Sequence, residues 1–144
     1  MVLMMLMIAT LLYLLTAAGI ALLAAKYAFG PIPAPHHAAM LAKAGEAPGE
    51  ATLRVMAALY RVMAGALFGG GLAVLVLAWF GLGMGEAPAQ PWAQASLPLI
   101  VLAIGLPATL TTWRTERATG IRTPWRAAAA LTGLGLLAFV LSLL

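Results

Sequence analysis

Residues that could perform acid–base or ligand chemistry are few in this chain, and they lie outside its long apolar stretches. His36 and His37 are the only side chains whose ordinary pKa lies near neutral pH. The chain has no Cys and no Asp, and its acidic residues are Glu46, Glu50, Glu86 and Glu116. These residues form no thiolate site, no paired carboxylates and no nucleophile motif. We therefore predict no catalytic residue, no bound metal ion and no enzymatic activity.

The two histidines are adjacent in the sequence, which limits what they can bind together. On a helix, neighbouring side chains point about 100° apart, so both rings cannot face one ion. A metal site would need more ligands than this segment offers. A single interfacial histidine, however, could bind the iron of a haem or the magnesium of a chlorophyll. We expect an exposed pair at the start of a short helix, and we keep tetrapyrrole binding by His36 or His37 as an alternative.

Basic residues flank the apolar stretches. If each stretch crosses the membrane once, all of these basic residues lie on the same side of the bilayer. They are Lys26, Lys43, Arg54, Arg61, Arg114, Arg117, Arg122 and Arg126. The positive-inside rule makes that side cytoplasmic and places both termini on the outer, periplasmic side. The net charge of +4 then fits a membrane surface and not nucleic acid. We expect contacts with anionic lipid head groups or a partner subunit from Arg54, Arg61, Arg114, Arg117, Arg122 and Arg126.

The composition defines the elements that must position these side chains. Apolar residues make up 64% of the 144 residues, charged residues only 8%, and the mean hydropathy is +1.03. Average globular domains carry about 25% charged residues, so a soluble enzyme, a disordered chain and a disulfide scaffold are excluded. Four apolar stretches are each about 20 residues or longer, enough to cross a hydrocarbon core of about 30 Å. We predict an all-α, polytopic membrane protein, a four-transmembrane-helix bundle with a short amphipathic helix in the first cytoplasmic loop.

The stretches divide a single integral membrane domain into spans and loops. The predicted spans are residues 2–25, 50–82, 92–113 and 124–144. Cytoplasmic loops cover residues 26–49 and 114–123, and an outer loop covers residues 83–91. No basic residue precedes the first span, and the span exceeds the apolar region of a signal peptide, so we interpret it as a retained helix. Within the first loop we expect a helix over residues 36–44, with Gly45 as its stop.

The second predicted span is too long for the bilayer alone. Residues 50–82 would form a helix of about 50 Å, whose first turns project beyond the hydrocarbon core. Glu50 and Arg54 stand in the favourable order for an i, i+4 ion pair. The face of this helix opposite the charged residues is an apolar stripe, which we expect to pack against the rest of the protein. The stripe consists of Leu53, Met56, Tyr60, Met63 and Leu67.

Small residues on the predicted spans favour close helix packing. Gly65 and Gly69 have the small-xxx-small spacing that lets two helix backbones approach in lipid. Gly70 and Gly71 follow, and three consecutive glycines could allow a bend. Gly133 offers a matching small face on the fourth span. We expect Gly65, Gly69, Gly70 and Gly133 to pack within the chain, with homodimerisation as the alternative.

The third span and the loop after it contain residues that predict a helix kink, an ion network and the start of the fourth span. Pro98 and Pro107 predict a kink, and the hydroxyls of Thr109, Thr111 and Thr112 could satisfy freed backbone groups. Glu116 lies between basic neighbours, which predicts a local ion network with Arg114, Arg117 and Arg122. Thr123 followed by Pro124 and Trp125 predicts a helix start with the threonine as its cap.

These patterns leave three functions open. The first is a non-catalytic accessory or assembly subunit of a larger membrane complex, contacting other subunits or a second copy of itself. The alternative is a small oligomeric channel or carrier for a neutral or apolar solute, with a polar pore near residues 109–112. The second alternative is a pigment- or haem-holding subunit. Few lysines and many Ala, Leu and Gly residues suggest a bacterial genome rich in GC, and hence a bacterial inner membrane.

Overall fold

The chain folds into α-helices that run back and forth as a bundle. The computed structural model describes residues 2–82 and 89–144. In these residues the helices are α1 (Val2–Phe29), α2 (Pro35–Lys43), α3 (Glu50–Gly81), α4 (Pro91–Thr119) and α5 (Trp125–Ser142). Four of them, all except the short α2, are long and apolar enough to cross a membrane. The predicted all-α membrane bundle with a short helix between its first two spans is confirmed.

The four long helices form a ring in the order α1, α3, α4 and α5. Each packs against its two neighbours in that ring, most extensively α1 against α3 and least extensively α3 against α4. All eight Lys and Arg residues lie at one end of the bundle, Lys43 in the last turn of α2 and the others near where α1 and α4 end and α3 and α5 begin. We call this the basic end of the bundle, and the opposite end the neutral end. The short helix α2 lies at the basic end.

Closely packed side chains fill the half of the bundle toward the neutral end. This core consists of Tyr13, Ala17, Val74, Ala78, Leu82, Leu97, Val101 and Ala138. Small residues bring the backbones together here, since a Cβ on Gly135 would lie 2.8 Å from Cγ1 of Val101. A Cβ on Gly81 would likewise collide with Ala93. The amide of Gln90 donates to the carbonyl of Gly81 over 2.7 Å and joins α3 to the segment before α4. Residues 83–88 of the predicted outer loop lie outside the described residues.

Two helices continue beyond the predicted membrane spans at the basic end. The first span was predicted to end at about residue 25 and the third at about residue 113, each just before a basic residue. Instead α1 continues to Phe29 and α4 to Thr119, because long basic side chains can follow a helix out of the hydrocarbon and keep their charge in water. Gly120 ends α4 with a φ of 69°, and its amide donates to the carbonyl of Glu116 over 2.8 Å. Gly45 has a φ of 72° directly after α2, so its predicted role as a stop is confirmed.

Candidate functional site

The half of the bundle toward the basic end contains a cavity that opens sideways between α3 and α4. Its volume is about 380 Å³, which falls in the range of roughly 300–1,000 Å³ typical of small-molecule sites. We call it the lateral cavity. Its walls are Leu23, Tyr27, Met63, Ala66, Leu67, Ala103, Ile104, Ala108, Thr111, Thr112, Pro124 and Ala128. Most of these side chains are apolar, and the exposed ones lie on α3 and α4, which places the opening there: Met63, Ala66, Ala103 and Thr111.

The cavity begins where α3 and α4 separate. Gly70 of α3 touches Ile104 of α4 so closely that an added Cβ would collide with that side chain. Toward the basic end the facing residues are as small as Ala66 on α3 and Ala108 on α4. Such side chains cannot fill the space between diverging helices. The sequence predicted Gly70 as a packing position, and the structure places it against the Ile104 side chain of α4.

The other three predicted packing glycines do not contact another helix. An added Cβ on Gly65, Gly69 or Gly133 would meet no atom within 4 Å in the part of the chain that the structure describes. On α3 it is Gly70 and Gly71 whose added Cβ atoms would meet side chains or backbone of neighbouring helices. Gly65 lines a groove of about 380 Å³ between α1 and α3. Packing of these glycines against another chain stays a prediction.

Polar side chains surround a second space of about 230 Å³ under α2. We call it the polar mouth. It is lined by His36, His37, Met40, Thr111, Thr112, Thr115 and Thr123. Thr111 and Thr112 also line the lateral cavity, so the two spaces adjoin. An apolar cavity and a polar entrance therefore lie side by side at one end of the bundle.

The threonines of α4 were expected to satisfy the carbonyl that Pro107 leaves unpaired near Ala103. They do not, because a helical threonine hydroxyl reaches only the carbonyl three or four residues earlier. Thr111 donates to the carbonyl of Pro107 over 2.6 Å and Thr112 to that of Ala108 over 2.5 Å. Their hydroxyl protons are thus already used, and toward the mouth these oxygens offer acceptor lone pairs.

Helix α2 covers the polar mouth and is held at both ends by polar contacts. At its start, the hydroxyl of Tyr60 accepts the amide proton of Ala34 over 3.1 Å and also bonds Nδ1 of His37. That hydroxyl has one proton and two lone pairs, so the direction of its bond with His37 depends on which ring nitrogen carries the proton. At the other end, Lys43 Nζ donates to the carbonyl of Thr119 over 2.6 Å. No residue of α2 is fully buried, so polar contacts contribute much of what holds it in place.

The predicted exposed histidine pair is half-buried. The two ring centroids lie 4.1 Å apart, and both rings line the polar mouth. Burial lowers the pKa of both histidines, and the neighbouring charges of His37 and Lys26 lower the pKa of His36 further. Sequence reasoning missed Tyr60 as their partner, since it placed that residue on the apolar stripe of α3. Tyr60 is indeed 6% exposed, but its hydroxyl reaches across to the loop.

Glu116 connects α4 to the start of α5. The predicted network with the arginines near it in sequence is wrong, because residues one or two apart on a helix point in different directions. Its carboxylate instead pairs with Arg126 over 3.1 Å and accepts the amide proton of Thr123 over 2.8 Å. Thr123 does not cap α5 either. Its hydroxyl donates to the carbonyl of Thr112 over 2.8 Å, and Pro124 occupies the cap position.

The six arginines predicted to contact lipid or a partner are all exposed at the basic end. Arg54 forms the predicted ion pair with Glu50 at 2.5 Å, and exposed pairs of this kind contribute little to stability. The guanidinium of Arg117 stacks on Trp113 and that of Arg126 on Trp125, each 4.7 Å from the ring centroid. Arg61, Arg114 and Arg122 make no ion pair with any described residue.

A third space at the basic end lies beside α2, on the side of α1 and α5. Its volume is about 420 Å³, and we call it the basic pocket. It is lined by Lys26, Pro35, His36, Ala39, Ile121, Arg122 and Pro124. It shares His36 with the polar mouth and Pro124 with the lateral cavity.

The described residues contain no group of three or more His, Asp or Glu side chains that could hold a metal ion. Tetrapyrrole binding would therefore depend on a single ring, of which His36 is the one whose nitrogens are free of Tyr60. Comparison of the chain with protein-family models, with curated proteins and with solved structures found no match.

Proposed function

We propose that this protein binds, and as a small carrier moves, a molecule with a long apolar part in the half of the membrane nearest the basic end. The observation that carries the proposal is the lateral cavity. It is mostly apolar, its exposed lining residues lie on α3 and α4, and it adjoins a polar mouth through Thr111 and Thr112. Such a site suits a solute that enters from the bilayer and places one polar end near the membrane surface.

The geometry favours a binding role over a chemical one. The polar groups at the mouth are hydroxyls already bonded to backbone carbonyls and two half-buried imidazoles. We propose no catalytic residue among them. With the basic end on the cytoplasmic side by the positive-inside rule, the solute would occupy the inner leaflet of a bacterial inner membrane, and both termini would be periplasmic.

Filling the lateral cavity tests this proposal. Ala108→Leu adds a branched side chain to its wall, whereas Ala130→Leu makes the same change at an exposed position of α5 outside the cavity. The protein would be extracted gently from its native membranes and the molecules retained on it identified by native mass spectrometry. We expect an amphipathic molecule on the wild type and on Ala130→Leu, and its loss from Ala108→Leu. Equal retention by both variants would contradict the proposal.

A second candidate function is the accessory subunit, which the open face of α3 favours. Gly65 and Gly69 are spaced by four residues and leave room for the backbone of a helix from another chain. Gly65→Leu and Gly69→Leu would fill that room, and the Cβ that each adds would meet no described atom within 4 Å. If another subunit docks there, both variants should leave a large assembly on native gels, while Ala130→Leu should stay in it. Migration of the wild type alone would exclude a stable assembly.

The pigment-holding alternative is tested more simply. A haem or chlorophyll bound through His36 or His37 would give a visible absorbance spectrum in protein purified from native membranes, and a flat spectrum would exclude it.

A further inference from the structure

The basic pocket has the charges of an anion site. Lys26 extends from the end of α1, and Arg122 from the connection between α4 and α5, into the rim of the same concave space. Neither side chain forms an ion pair or a hydrogen bond with a described residue. Two cations that share a pocket without a counter-ion repel each other, so the pocket favours a negatively charged occupant.

The acidic residues of the described chain cannot fill this role. Glu116, which lies nearest along the chain, is occupied by Arg126 and Thr123. Glu50 pairs with Arg54 on the exposed side of α3. Glu46 follows the far end of α2, beyond Lys43, and does not line the pocket. The missing negative charge must therefore come from outside these residues.

The first turn of α2 adds to the positive potential. The helix starts at Pro35 without a side-chain cap, so the free amides of this turn carry part of the positive end of its dipole. His36, in that turn, lines the pocket and offers a ring N–H. Arginine presents a planar fork that matches the oxygens of a phosphate or carboxylate. With two full charges, a dipole end and an imidazole, the site suits a phosphate monoester, which carries about 1.5 to 2 negative charges near neutral pH.

We propose that the basic pocket holds a phosphate monoester, and that this is the head group of the amphipathic molecule whose apolar part occupies the lateral cavity. The second half of this statement rests on the proposed function. The two spaces meet at Pro124, and His36 links the pocket to the polar mouth. A head group in the basic pocket would thus lie at the membrane surface while its chain reaches the lateral cavity.

The full chain in phosphatidylcholine nanodiscs allows a direct test with phosphatidic acid as the probe. Native mass spectrometry would count phosphatidic acid molecules retained per protein as its mole fraction rises. The variant Lys26→Gln/Arg122→Gln removes both cations of the pocket. The matched control, Arg61→Gln/Arg114→Gln, removes two exposed, unpaired charges at the same end that do not line the pocket. All four side chains are exposed, so neither variant should affect folding.

We expect one tightly retained phosphatidic acid on the wild type and on the control, with retention at least about tenfold weaker in Lys26→Gln/Arg122→Gln, since each tenfold change corresponds to about 1.4 kcal/mol. An equal loss in the control would overturn the proposal, because it would mean a diffuse attraction of the whole basic surface. A wild type that does not prefer phosphatidic acid over phosphatidylcholine would also overturn it.

Two further measurements distinguish failure of the anion site from failure of the proposed lipid-binding cavity. If Ala108→Leu retains phosphatidic acid, and inorganic phosphate competes for the site, then the pocket binds a phosphate without help from the lateral cavity. That result supports the anion site and overturns its link to the cavity. If Ala108→Leu loses the lipid while Lys26→Gln/Arg122→Gln keeps it, the lateral cavity is a lipid site and the anion site is wrong.

Discussion

The spanning helices are apolar in both halves of this bundle, and yet the two halves are packed differently. In the half toward the neutral end, Leu82 and Leu97 are fully buried among the side chains of three other helices. In the half toward the basic end, the lateral cavity of about 380 Å³ separates α3 from α4. The packing between α3 and α4 changes near Gly70, which lies against the Ile104 side chain of α4.

The difference shows that hydropathy does not decide packing inside a membrane. Lipid tails are as apolar as leucine side chains, so closing a gap between helices gains no hydrophobic free energy there. Helices stay together where side chains interlock and where small residues admit close backbones, as at Gly135 against Val101. Where alanines face each other across diverging helices, the space can remain for an apolar molecule to occupy.

The largest effect should come from truncating a leucine in each half. Leu97→Ala removes a fully buried side chain and should lower the free energy of unfolding by about 2 kcal/mol, the low end of the range for soluble cores, because lipid replaces water as the alternative environment. Leu67→Ala acts on a wall of the lateral cavity and should cost less than about half as much. Unfolding by SDS in mixed micelles measures both.

The lipid-facing substitution Leu99→Ala, at a residue 66% exposed, provides the control and should have little effect. Equal losses for Leu97→Ala and Leu67→Ala would mean that the two halves are packed alike, which would remove the basis of the comparison.

Two tyrosines sharpen the comparison, because their hydroxyls have opposite surroundings. Tyr60 bonds Ala34 and His37, so Tyr60→Phe should destabilise the protein by about 1 kcal/mol and loosen α2. Tyr13 is 0% exposed in the core of the neutral half, and its hydroxyl has no hydrogen-bond partner among the described residues. Tyr13→Phe should therefore leave stability unchanged or raise it by up to about 1 kcal/mol.

The same unfolding assay reads both tyrosine variants, and hydrogen exchange over residues 34–43 reports on α2. A loss of stability in Tyr13→Phe would mean that its hydroxyl does have a partner, and would contradict the picture of a dry, closed core.

The smallest expected effect is a pH dependence confined to the basic half. The pKa of His36 and of His37 is lowered in the folded protein from the ordinary value of 6.5. The unfolded chain therefore binds protons first as the pH falls, and the stability that the neutral rings contribute above pH 6.5 is lost below it. The titratable or charged groups near the two rings are Lys26 of α1, Tyr60 of α3, and Arg122, which lines the basic pocket with His36.

Thermal unfolding between pH 8 and pH 5 measures this loss. The double variant His36→Gln/His37→Gln should show a flatter profile over the same interval. An unchanged profile in the variant would assign the pH dependence to other groups.

Much of the fold follows from the sequence, since the length and spacing of the apolar stretches specify four spanning helices and the short helix between the first two. The start of α3 at Glu50, the Glu50–Arg54 pair and the stop at Gly45 were all predicted from local rules. Local rules failed where the partner lies far along the chain. Thr123 bonds α4 instead of capping α5, Glu116 pairs with Arg126 instead of its sequence neighbours, and His37 bonds Tyr60.

The same distinction applies to the candidate site. The sequence by itself determined that the chain crosses a membrane and that its positive charges gather at one end, because hydropathy and charge act through the surrounding lipid and water. The sequence also indicated His36 and His37 as possible ligands, and Thr111 and Thr112 as part of a possible polar pore. Only the tertiary structure decided that Gly70 lies against a side chain of another helix while Gly65 and Gly69 do not, and that three adjoining spaces lie at the basic end. Those outcomes depend on the rotation and divergence of neighbouring helices, and in lipid these are set by the fit of side chains from distant parts of the chain.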